Sequence, residues 1–294
     1  MLHFGETFAL LTAVVWAIAV ILFKKSGESV HPIALSLFKD ILAVVLLVPT
    51  IFLFGTGFRH HASADDYLLL LFSGVLGIGL GDTLFFFSLN MLGAGLSAIV
   101  DCLYSPFIIV LSVLWLDERL TILQAVGAVL IISAVLTVTR EKSAGNISGK
   151  HLFWGIVLGA SAMAANALGI VMVKPLLERS PLLWATEVRL VGGCFVLALV
   201  MLIYPRRRMV LNSLLKSRNW KYTIPGSFAG AYLSMILWLA GMKFAPASIA
   251  AALNQTSNIF IFIFAALLLR EPINLQRTIG IVLAVVGAFL VTFG

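Results

Sequence analysis

The stretch LGAGLSAIVDC (residues 92–102) returns as KFAPASIAAAL (243–253), and LDERLTILQAVGAVL (116–130) returns as LREPINLQRTIGIVL (269–283). The offsets are 151 and 153 positions. Nearer the start of each copy, an offset of 150 relates Trp16 to Asn166, Lys24 to Lys174 and Lys39 to Arg189. The chain is one segment written twice, with 1–140 as the first copy and 150–294 as the second; the polar stretch REKSAGNISGK (140–150) joins them.

Both copies are strongly apolar. Of 294 residues 61% are hydrophobic and 11% charged, with a mean hydropathy of +1.08, whereas soluble domains carry about a quarter charged residues. Ten apolar segments are expected as helices: 6–24, 33–54, 66–90, 94–116, 120–139, 150–173, 181–203, 221–242, 246–269 and 273–293. Each approaches the twenty or so residues that cross a bilayer core. The first segment lacks a basic leader and has a counterpart in the second copy, so it reads as a helix rather than a cleaved signal. The expected fold is an all-α membrane protein, ten transmembrane helices arranged as two five-helix repeats. Five is odd, so the second copy enters the membrane from the opposite side and the repeats are inverted.

The net charge of +7 points to membrane orientation signals rather than to nucleic acid. Arg206, Arg207, Arg208, Lys216, Arg218 and Lys221 gather in the one long loop, between the seventh and eighth segments. The Lys and Arg count by side places both termini outside the cytoplasm. Cys102 and Cys194 fall inside helices, which suits packing rather than a disulfide. The five histidines lie near the membrane surfaces without metal-ligand spacing, no phosphate-binding loop occurs, and no cofactor, metal or catalytic group is expected. Small-residue pairs four apart (Gly77 and Gly81, Gly155 and Gly159, Gly226 and Gly230) are expected at close helix crossings, and Pro106 is expected to bend the fourth helix.

A charge in hydrocarbon costs about 2.5–3.5 kcal/mol on insertion scales, so buried ionisable residues are the first candidates for function. Lys39 and Asp40 on the second helix, Asp82 on the third and Asp101 on the fourth fall roughly 10–12 Å below one membrane surface at 1.5 Å rise per residue. Trp16 reaches a similar depth. A structural ion pair and a proton- or substrate-binding site both fit this group. Ser97, Asp101, Tyr104 and Ser105 share a helical face that suits a pore lining. In the second copy Arg189 replaces Lys39 and should lie near the opposite surface; one cation below each surface suits paired gates, and a structural pair with Glu187 or another neighbour fits equally well. Asn254, Gln255, Ser257 and Asn258 on the ninth helix would be costly against lipid, and both a substrate-lining role and hydrogen bonding between helices fit them. Tyr232, Met235 and Trp238 on the eighth helix could form an aromatic wall or pack in the core. Glu118 and Glu271, at equivalent positions, are expected to cap the helix that follows each.

The stretch GLGDTLFFFSLNMLGAGLSAIVDCLYSPFIIVLSVLWLDERLT (79–121) and its echo APASIAAALNQTSNIFIFIFAALLLREPI (245–273) resemble the EamA-type branch of the drug/metabolite transporter superfamily. Lys39 and Arg189 match the family's basic residue early in the second helix of each repeat, and Glu118 and Glu271 match its glutamate after the fourth. The resemblance implies a ten-helix secondary carrier of a small-molecule substrate, amino acid-like or drug-like, commonly an exporter in a bacterial or archaeal cytoplasmic membrane. It also implies termini in the cytoplasm, against the charge count. A proton is the candidate coupling ion. A membrane-embedded enzyme would concentrate its polar groups at one surface, and a non-transporting sensor would carry a soluble domain; a carrier draws polar groups from both halves toward the centre.

Overall fold

The computed structural model describes residues 2–54, 62–115, 119, 121–139 and 148–293. These are helical, with no strand among them. We number the main helices α1 (Leu2–Ser26), α2 (Pro32–Phe54), α3 (Ala64–Leu92), α4 (Ala94–Trp115), α5 (Ile122–Thr139), α6 (Gly149–Val171), α7 (Leu182–Ile203) and α8 (Trp220–Phe244). The next, α9, runs in two pieces, Ala247–Asn254 and Ser257–Leu269, and α10 is Leu275–Phe293. Seven helices, α1 to α4 and α6 to α8, are long and apolar enough to cross a membrane. The apolar helices Ile122–Thr137, Ser257–Leu268 and Leu275–Val291 are shorter.

Local chemistry sets the helix ends. Ser63 accepts from Asp66 N at 3.1 Å while Asp66 returns the bond to Ser63 N, a capping box that starts α3. Ser148 caps α6 by accepting from His151 N. Glu271 accepts from Ala94 N at 2.7 Å and Gly95 N at 2.9 Å, so it caps α4. This corrects the expectation that it caps the helix that follows it. The helix dipole draws the carboxylate as expected, but the N-terminus it reaches is in the other half. Glu118 lies outside the described residues. The two lysines 150 positions apart cap the opposite ends. Lys24 donates to the Leu89 carbonyl at 3.1 Å at the end of α3, and Lys174 donates to Met242 and Ala245 carbonyls at 2.8 and 3.1 Å at the end of α8.

Packing crosses between the copies. Helix α1 lies against α8 and α9, α6 lies against α3 and α4, and α2 pairs with α7. Helices α5 and α10 pair with each other at the side, where Gly127 and Gly287 let the backbones meet: a Cβ at either would stand 2.5–2.6 Å from the other's carbonyl oxygen. The expected small-residue crossings are present. Gly230 faces the Phe23 ring, which a Cβ would approach to 2.6 Å. Large apolar residues cover the outside, among them Leu53 (75% exposed), Phe195 (63%) and Leu267 (70%), as a lipid-facing surface requires.

The long basic loop is not unstructured. It holds the helix Arg207–Leu215, because Val210 and Leu214, one turn apart, bury against the bundle while Met209 and Leu215 stay exposed. Both cysteines are free thiols.

Candidate functional site

Four helices lose their regular turn, in two matched pairs. In α3 the segment Val75–Gly81 widens to π-helix, and Asp82 N–H bonds the Gly77 carbonyl five residues back. In α8 the same happens over Phe228–Leu233, and Ser234 N–H bonds the Ala229 carbonyl. These segments begin 153 positions apart, and such bulges concentrate at functional sites. Helix α4 breaks at Cys102–Leu103, where Pro106 cannot donate to the Cys102 carbonyl four residues earlier. The bend expected at Pro106 is thus a full interruption one turn upstream. Helix α9 breaks at Gln255–Thr256, again 153 positions later, without a proline; there Thr256 Oγ1 donates to the Leu253 carbonyl at 2.7 Å and competes with the helical ladder.

The irregular turns surround one cavity of about 110 Å³, room for several waters or a small solute. The first half contributes Trp16, Asp82, Asp101 and Tyr104; the second contributes Arg189, Trp238, Asn254 and Gln255. Asp101 and Asn254 each end the first piece of a broken helix and stand 153 positions apart. Tyr104 meets Trp238 edge to face, with ring centroids 5.9 Å apart, and Trp16 leans on Phe85 at 5.9 Å. Gln255 Nε2 donates to the Asp101 carbonyl at 3.1 Å, satisfying a backbone group that the break in α4 leaves open.

Three other sequence candidates stand back from the cavity wall. Lys39 is buried behind Asp82, Tyr232 shares a 2.6 Å hydrogen bond with Thr50 on α2, and Asn258 bonds Gln255 Oε1 and the Cys102 thiol. The aromatic wall therefore consists of Trp238 and Tyr104, with Met235 beside them; Tyr232 sits across the widened π-turn and faces α2. The expected pore face of α4 is likewise split. Asp101 and Tyr104 line the cavity, whereas Ser97 and Ser105 are buried away from it, because the break at Cys102–Leu103 interrupts the helical register.

The two inherited cations have different surroundings. Lys39 Nζ donates to Asp82 Oδ2 at 2.7 Å and to Asp40 Oδ1, and both Lys39 and Asp40 are fully enclosed. Its charge is answered within the protein. Arg189 is 4% exposed and lines the cavity, yet its Nε and Nη1 are buried without hydrogen-bond partners. It forms no ion pair among the described residues, Glu187 included, since residues two apart on a helix point to different faces. Gly77 lies beside Arg189 and Asn166: a Cβ there would stand 3.6 Å from Nη2 and 3.4 Å from Asn166 Oδ1, ordinary van der Waals contact.

The sequence reading missed Thr12, Asn166 and Ser234 as cavity residues. Asn166 was available as the repeat partner of Trp16. Ser234 was hidden, because the π segments differ by one residue and shift the register against Asp82.

Comparison with known proteins gives the family. The family model described as the EamA-like transporter family matches residues 3–140 and again 153–293. An uncharacterized transporter of Methanothermobacter thermautotrophicus is 26% identical, over 96% of this chain and 84% of that protein. The uncharacterized transporter YetK of Bacillus subtilis is 22% identical, over 92% and 82%. A crystal structure with 15% sequence identity superposes with a TM-score of 0.73, covering 98% of this chain and 96% of the other, which shows a shared fold. With apolar helices long enough to cross a bilayer, a duplicated helix plan and relatives in bacteria and archaea, the chain is a multi-pass integral membrane protein and belongs to the EamA-like transporter family.

Proposed function

We propose that this membrane transporter is a secondary carrier that moves a small amino acid-like or drug-like metabolite, in the export direction, by alternating access through the central cavity. The observation that carries the reading is the matched irregularity of the two halves around that cavity: a π segment in α3 and α8, and a broken helix in α4 and α9. Discontinuous helices at a repeat interface are how carriers build sites near the bilayer midplane. The packing supports ten spans in two inverted repeats, 1–140 and 150–294, because α1 meets α8 and α9 just as α6 meets α3 and α4. In such an arrangement the halves exchange conformations and open the site to one side and then the other. Polar groups from both halves around one cavity weigh for a carrier over an enzyme, whose groups would gather at one surface.

In this reading Asp82 and Asp101 are the coupling residues, with a proton as the coupling ion, and Asn254 and Gln255 hydrogen-bond the solute. The test is uptake of a radiolabelled amino-acid and metabolite panel into proteoliposomes, with and without an imposed pH gradient. Gradient-driven accumulation that Asp82→Asn and Asp101→Asn abolish is the expected result. Flux unchanged in Asp82→Asn, Asp101→Asn and Asn254→Ala alike would defeat the assignment.

A further inference from the structure

Position 39 and its repeat partner 189 both hold a cation on the second helix of a half, but only one has its counter-charges. Where Asp40 follows Lys39, Leu190 follows Arg189. Where Asp82 closes the π segment of α3, Ser234 closes that of α8. Arg189 thus keeps the inherited charge without either inherited partner. Buried charges are ordinarily paired, because an unpaired one keeps the cost of leaving water with nothing to offset it. Arg189 also lines the cavity, with its Nε and Nη1 buried in the wall. Asp82 and Asp101 share that cavity and Asp82 attracts Arg189 at a distance, but among the described residues no carboxylate makes an ion pair with the guanidinium, and Asp82 bonds Lys39.

We propose that Arg189 is the seat for a carboxylate group carried by the transported solute, which supplies the missing counter-charge when it binds. Guanidinium suits this task, since its planar donors match the geometry of a carboxylate and it stays protonated. The two cavity aspartates set the rest of the preference. Asp101 carries no ion pair among the described residues, and Asp82 shares its lysine with Asp40, so together they repel a second negative charge and attract a positive one, and a zwitterion is favoured over a dianion. This assignment deepens the carrier reading and rests on it for the word transported; the carboxylate seat itself is tested by binding alone.

The experiment uses the full chain, purified in detergent, with four-carbon probes that differ only in charge: butyrate, butylammonium and the zwitterion 2-aminobutyrate. Melting temperature is recorded for wild type, Arg189→Met and Arg189→Lys. Butyrate and 2-aminobutyrate should raise the wild-type value by about 3 °C or more near saturation, and butylammonium should not. Arg189→Met should lose that response and melt, without probe, no lower than wild type, because it removes a charge that has no partner. Arg189→Lys should retain a response with apparent affinity lowered at least about tenfold. The proposal is overturned if carboxylates leave the wild type unmoved, if Arg189→Met still responds to them, or if it melts well below wild type without probe. Carboxylate binding that depends on Arg189, with no flux of any probe in vesicles, would uphold the seat and refute the carrier reading instead.

Discussion

Lys39 and Arg189 occupy one position of a duplicated scaffold and differ in everything around them. The first is locked between Asp40 and Asp82; the second faces the cavity with two donor nitrogens unpartnered. The difference teaches that duplication conserves where a charge sits more readily than what answers it. In the first half the cation belongs to the architecture, tying α2 to α3. In the second half the same placement leaves Nε and Nη1 without a hydrogen-bond partner.

That comparison can be broken most severely at Lys39. Lys39→Met strands the buried Asp40 carboxylate beside that of the cavity-lining Asp82 and should destabilise the chain by about 3–5 kcal/mol, read as a lower melting temperature or lost expression. Adding Asp40→Asn and Asp82→Asn should recover much of the loss. If Lys39→Met and Arg189→Met prove equally damaging, the contrast between the halves fails. Next in size is Leu190→Asp, which offers Arg189 the neighbour that Asp40 gives Lys39. It should weaken the carboxylate response by about tenfold, close to 1.4 kcal/mol, in the same melting assay. An unchanged response would mean that position 190 cannot imitate position 40.

A smaller effect tests the capping that links the halves. Glu271→Ala removes the acceptor for Ala94 N and Gly95 N, and should cost about 1–2 kcal/mol of stability. The smallest concerns the loop between α1 and α2. Burial pushes the His31 imidazole below its usual value of 6.5, whereas Pro181, 150 positions on, has nothing to titrate. A folded-state value below the unfolded one means that the contribution is whole above 6.5 and lost as pH falls through the folded value. Melting temperature should therefore decline slightly on acidification in wild type, and less steeply in His31→Asn.

The helices were legible in the sequence because apolar runs of spanning length leave little choice, and the repeat is read from Lys24 and Lys39, which return as Lys174 and Arg189 at one offset. Rise per residue also brought Asp82, Asp101 and Trp16 to one level, and they share one cavity. Backbone irregularity was not legible. Neither VLGIGLG (75–81) nor FAGAYL (228–233) departs from apolar composition, and a π-turn adds a residue without a sequence signature. Because such a turn changes the direction of the side chains around it, it separated Tyr232 from Trp238 and concealed Ser234. Glu271 shows a different limit. Its affinity for a helix N-terminus follows from its charge, but which N-terminus it reaches depends on a contact between halves that no local pattern encodes.

The central claim is that the cavity opens to both sides of the membrane. Its most direct test needs no substrate: place a single cysteine at Ser234, which is small and lines the cavity, in a chain with Cys102 and Cys194 replaced. Reconstitute it in one orientation and treat it with a membrane-impermeant thiol reagent from either side. Alternating access predicts labelling from both faces of the same population, each slower than at an exposed site. Labelling from one face only, however long the exposure, would contradict it.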